Sequence, residues 1–145
     1  MSIENRIADA ELLWKNDHKD GAFLCALVAI AGTARKRYPK DKDNAAFTRF
    51  LGDCSNVRLN VEFRGQLQSI EMIFYKFMRC EIVHEGGIPP DIGFGEDLQS
   101  GEMTVRAGGA PEYVLEIGTG WFFHLLNTVR QAKENSDLFT LIPSR

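Results

Sequence analysis

Arg79 and His84 lie five positions apart in Phe77-Met78-Arg79-Cys80-Glu81-Ile82-Val83-His84-Glu85-Gly86. They are the pair of side chains in this chain best suited to phosphodiester chemistry. A guanidinium offers a planar fork of donors that matches phosphate oxygens. An imidazole with an ordinary pKa near 6.5 takes or gives a proton at neutral pH. Five residues of α-helix turn through about 500°, which leaves the two side chains roughly 140° apart. One copy therefore presents the pair awkwardly, and a single histidine cannot comfortably serve as both base and acid. A symmetric dimer that pairs this helix with its copy would gather two arginines and two histidines around one cleft. The bland reading is equally physical. By chance alone, about 0.2 such spacings are expected in a chain of this composition. An exposed arginine and a histidine set favourably against the helix dipole need no chemistry.

The elements that would position the pair can be read from periodicity. Ile3, Ile7, Ala10 and Trp14 recur at helical spacing behind Ser2, a good N-cap, and predict a helix over about 3–15. A second helix over about 20–38 carries Leu24, Leu27, Val28 and Ala31, with Phe23 and Ile30 widening its apolar face, and ends before Pro39. Phe47, Phe50, Leu51 and Cys54 predict a third helix over Asn44–Cys54. Val57, Leu59, Val61 and Phe63 alternate with polar residues and predict an extended piece. Gln66–His84 returns to helical spacing, and Glu85-Gly86-Gly87 with Pro89-Pro90 stops it. Ile88–Gly101 reads as a loop. Met103–Arg106 and Tyr113–Ile117 flank Ala107-Gly108-Gly109-Ala110-Pro111 and predict a β-hairpin over about 102–118, ahead of a last helix over about 120–135. The expected fold is mainly α, an up-and-down helical bundle in one domain with a small hairpin insertion.

The motif helix and its surroundings resemble the HEPN superfamily, whose signature is Arg-x4–6-His. The resemblance is carried by Phe74-Tyr75-Lys76-Phe77-Met78-Arg79-Cys80-Glu81-Ile82-Val83-His84-Glu85-Gly86. It extends to Ala10-Glu11-Leu12-Leu13-Trp14, His18–Gly32 and Asn44–Cys54, covering about residues 4–90. It implies a helical bundle that dimerises through the helix over about 66–84. Many such proteins are metal-independent ribonucleases, often in toxin–antitoxin or antiviral systems, and others bind nucleotides or partners without turnover. By position, Arg79 would hold the phosphate and His84 would exchange protons. Active members often carry a polar residue directly after the arginine, where this chain has Cys80. The expectation is therefore an RNA- or nucleotide-binding cleft, with RNA cleavage through 2′-hydroxyl attack as the alternative. An antitoxin-like protein is a further partner consistent with the resemblance.

Composition narrows the setting. The 145 residues are 44% hydrophobic and carry 17 basic and 20 acidic side chains, a formal charge of −3. That balance supplies no global field for nucleic acid or anionic membrane, so polyanion binding must be local, and DNA is not expected. Arg35-Lys36-Arg37, with Lys40 and Lys42, is the one dense basic cluster; it suits either the helix dipole or an RNA phosphate track, and Asp41 and Asp43 dilute it. Glu81 would bring negative charge near a bound phosphate unless it pairs with Arg79. No apolar run reaches the roughly 18 residues of a membrane span, and the first residues lack a signal-peptide core. Cys25, Cys54 and Cys80 form no CxxC and are expected as core thiols in a reducing cytoplasm. Three scattered histidines give no metal-ligand spacing, so neither metal nor cofactor is expected. His18 is read as a loop or capping residue and His124 as packed or at the surface. Gly86-Gly87 and Gly93-x-Gly95 are read as turns.

Overall fold

The computed structural model describes residues 2–54, 58–97, 99, 101–108 and 114–139. Helix α1 (Ile3–Lys15) begins where Ser2 Oγ accepts the backbone N–H of Asn5 at 3.2 Å, and it buries Ile3, Ile7 and Ala10. Helix α2 (Lys19–Arg37) packs against α1, α3 (Asp43–Asp53) and α6 (Gly120–Gln131). Its small and large apolar residues alternate around the cylinder, so Ala22, Phe23, Ala26, Leu27, Ala29 and Ile30 are all buried, as a central helix requires. Tyr38, the residue before Pro39, leaves the helical region and ends α2.

Strands β1 (Asn60–Phe63) and β2 (Gln66–Ser69) form an antiparallel hairpin over the two-residue turn Arg64-Gly65. Both turn residues have positive φ, 54° at Arg64 and 78° at Gly65, the conformation of the tight hairpin turn that matches strand twist. Ser69 then caps a continuous helix over 70–85, its Oγ accepting the N–H of Met72 at 3.1 Å. This motif helix has three parts: α4 (Ile70–Met72), a π-helical stretch (Ile73–Cys80) and α5 (Glu81–Glu85). Gly86, at φ 86°, ends it in the left-handed conformation that glycine adopts without strain.

A second sheet follows, of β3 (Ile92–Gly95), β4 (Val105–Ala107) and β5 (Leu115–Gly118) in the order β3-β5-β4. β3 pairs with β5 in parallel and β4 pairs with β5 antiparallel. Ile92, Leu115 and Ile117 turn inward and join the helical core, where Phe94 stacks on Phe23 at 4.8 Å. After α6, a 3-10 turn (Lys133–Asn135) and the short α7 (Ser136–Phe139) close the described chain.

Two sheets beside the helices make this a mixed α/β fold, which corrects the mainly α, up-and-down bundle with a hairpin insertion. The predicted antiparallel pair exists as β4 and β5, but it is part of a three-stranded mixed sheet whose parallel strand, β3, falls in the stretch read as loop. The expected helix over Gln66–His84 begins only at Ile70, because Gln66–Ser69 returns from the turn as a strand. Val57 of the expected extended piece, and Gly109, Ala110, Pro111 and Tyr113 of the expected hairpin, lie outside the described residues. The three cysteines are unpaired and half-buried rather than fully in the core.

Candidate functional site

The π-helical stretch sets the site. Helices of this kind are rare and recur at functional positions. Its inward residues Ile73, Phe74, Phe77 and Met78 are buried, which holds the opposite side in a fixed orientation. Tyr75 and Arg79, about one turn apart, both reach the first residue of α3. Arg79 Nη1 lies 3.0 Å from Asp43 Oδ2, and the Tyr75 hydroxyl donates to the same oxygen at 3.0 Å. The second carboxylate oxygen faces Arg35 Nη2 at 3.4 Å. The Arg79 guanidinium also sits over the Tyr75 ring, 5.4 Å from its centroid.

Two cations therefore share one anion, leaving a surplus of one positive charge. Side-chain exposure falls from 72% at Arg35 to 33% at Asp43 and 24% at Arg79, so the cluster is open on the Arg35 side. Arg79 Nε is buried and has no hydrogen-bond partner among the described residues. Burial and the hydrogen bond to Asp43 push the Tyr75 phenol above its ordinary pKa, so it stays a neutral donor.

The remaining sequence candidates divide clearly. His84 is exposed in the last turn of the motif helix and makes no hydrogen bond shown among the described side chains. Glu81 does not pair with Arg79; its electrostatic neighbour is Arg64. Arg64 grips Asp91 through Nε at 2.7 Å and Nη2 at 2.9 Å, with its guanidinium over Phe63 and Phe77. That grip ties the β1–β2 hairpin to the segment leaving the motif helix, and the hydrogen bonds from Arg64 hold the Asp91 carboxyl below its usual range. Lys36 and Arg37 serve the fold. Lys36 Nζ reaches Asn135 Oδ1 at 3.1 Å, and Arg37 binds Glu134 through Nε and Nη2, both at 2.9 Å. Only Arg35 of the basic triplet joins Arg79.

Sequence reasoning missed Asp43 and Tyr75 as site residues. Tyr75 carried a signal, since it stands one turn before Arg79. Asp43 did not, because Tyr75 and Arg79, which make it part of the site, lie 32 and 36 positions away.

A cavity of about 630 Å³ lies elsewhere, at the start of α6, lined by Asp97, Met103, Thr119, Phe123 and His124 among others, and by no residue of the motif. The Asp97 carboxylate accepts the N–H of Gly120 at 2.8 Å and the N–H and hydroxyl of Thr104. It is committed to holding the α6 N-terminus against β4. Burial pulls His124 below its ordinary pKa. Among the described residues no three side chains of His, Cys, Asp and Glu gather as metal ligands. Nor is any described helix long and apolar enough to cross a membrane.

The mixed α/β fold thus brings Arg35 of α2 and Arg79 of the motif helix together on Asp43 of α3. The chain matches the Rv1289 family over residues 2–142 and belongs to it. No curated protein and no solved structure matches the chain.

Proposed function

We propose that this protein binds a phosphate group of RNA or of a nucleotide at Arg79 and Arg35. The observation that carries the reading is the convergence of Arg79, Arg35 and Tyr75 on the single carboxylate of Asp43. Charge-assisted donors held at one point, one charge in excess, suit an anion with several acceptor oxygens. The protein acts as a homodimer, in which a second copy of the motif helix completes the cleft. In that pairing Val83, 62% exposed, and exposed His84 would lie on the motif helix where the second copy approaches. Three unpaired cysteines are in keeping with a reducing, cytoplasmic setting.

Binding without turnover fits the pairing of Arg79 with Asp43, and no hydrogen bond joins His84 to Arg79. The specific observation favouring RNA cleavage is that His84 is exposed and free to face a phosphate held by another copy. In that reading one His84 takes the 2′-hydroxyl proton, a second protonates the leaving 5′-oxygen, and Arg79 steadies the charge on phosphorus.

Fluorescence anisotropy with a labelled single-stranded RNA tests the reading, with the same RNA then run on a denaturing gel in EDTA. Binding that falls at least tenfold in Arg79→Ala and in Arg35→Ala supports the phosphate site. Equal binding by wild type and both variants ends it. Cleavage by wild type that disappears in His84→Ala replaces binding by catalysis.

A further inference from the structure

Asp43 decides which phosphates the site can take, and we infer that it selects terminal phosphate groups over the internal diesters of a chain. The inference rests on the phosphate-binding reading above and names its substrate class. The carboxylate of Asp43 already occupies the place a phosphate would take: Oδ2 receives Arg79 Nη1 and the Tyr75 hydroxyl, and Oδ1 faces Arg35. A ligand must displace it from those donors. Asp43 is tethered, so its local concentration at the arginines is far above that of a dissolved ligand.

An internal phosphodiester carries one negative charge and offers two unesterified oxygens, as the carboxylate does. It exchanges like for like and has no advantage over the tethered group. A terminal phosphate carries about −1.5 to −2 charges at pH 7 and offers three oxygens. It matches both guanidinium charges where Asp43 matches one. Its three oxygens can also serve the three donors one each, whereas Asp43 must share Oδ2 between Arg79 Nη1 and the Tyr75 hydroxyl. The contact between Arg35 and Asp43 is the longest of the three and the most exposed, so Arg35 is the donor that releases first as a ligand enters.

The test compares one short RNA with and without a 5′-phosphate, by anisotropy, on wild type, Asp43→Asn and Tyr75→Phe. Circular dichroism and melting of each variant confirm that it is folded. Wild type should bind the 5′-phosphorylated RNA at least tenfold more tightly than the 5′-hydroxyl RNA. Asp43→Asn keeps the size of the side chain and removes its charge, and it should tighten 5′-hydroxyl RNA about tenfold or more. Tyr75→Phe removes one donor and should weaken the phosphorylated RNA without changing the fold. If wild type binds both RNAs equally and Asp43→Asn changes neither, Asp43 is not a selector, although Arg79-dependent binding still stands. If neither RNA binds wild type or Asp43→Asn, the phosphate reading itself falls.

Discussion

Arg79 and Asp43, 36 positions apart, are joined by a 3.0 Å charge-assisted contact that fixes the π-helical stretch against the start of α3. The pair is partly exposed, so it stabilises the fold modestly and leaves its charges within reach of a ligand. We expect Arg79→Ala to cost about 1–2 kcal/mol, from the lost ion pair and the lost contact with the Tyr75 ring. Chemical denaturation of the two proteins checks this. A loss above about 4 kcal/mol would show that Arg79 is chiefly structural.

Asn135 offers a sharper stability prediction. It is fully buried and donates to Thr33 Oγ1 and to the Val129 carbonyl, both at 2.9 Å, while accepting from Lys36. Truncation to alanine takes this donor from two buried acceptors, Thr33 Oγ1 and the Val129 carbonyl, and should cost about 2–3 kcal/mol. Urea unfolding should register the change as a lower midpoint with an unchanged slope.

The Arg64–Asp91 clamp makes part of the stability depend on pH. Asp91 is held below its usual range by hydrogen bonds from Arg64, so the folded state binds its proton less readily than the unfolded chain does. The stabilisation is complete above the ordinary carboxylate range near pH 4 and is lost as pH falls through the lower folded value. Since Arg64 is half exposed, solvent screening limits it to about 1 kcal/mol. Asp91→Asn should be less stable than wild type at pH 7, and the gap should close at pH 2–3.

His124 acts in a higher window. Burial lowers its pKa, so protons bind the unfolded chain more readily and stability should fall as pH drops below about 6.5. Melting curves at pH 7.5 and 5.5 should show a larger drop for wild type than for His124→Gln. Equal drops would mean that His124 protonates without cost.

Much of the helical frame was legible because its signals are local. Ser2 announced α1, Pro39 closed α2, and Gly86 closed the motif helix, each by its own backbone preference. The sheets were harder. Arginine is an uncommon residue for the left-handed first position of a tight hairpin turn, so Arg64-Gly65 did not read as one. What holds Arg64 there is Asp91, 27 positions on, which no local pattern reveals. Gln66–Ser69 has the composition of a helix, and Ile92–Gly95 is half glycine, so both strands depend on their partners rather than on propensity. Arg79 was legible by its spacing to His84. Its observed partners were not: the carboxylate of Asp43 was read only as diluting a basic cluster, and tertiary packing gave it a role.

The central claim is that Arg79 holds a phosphate, and its side chain can be watched directly. The Nε–H signal of Arg79, assigned in a nitrogen-15 spectrum by comparison with Arg79→Lys, reports a donor that now has no partner among the described residues. Titration with a nucleoside 5′-monophosphate should shift that signal in a saturable way and leave the Arg37 signal, committed to Glu134, in place. An Arg79 signal that stays fixed at millimolar ligand, or that moves only in step with Arg37, would contradict the claim.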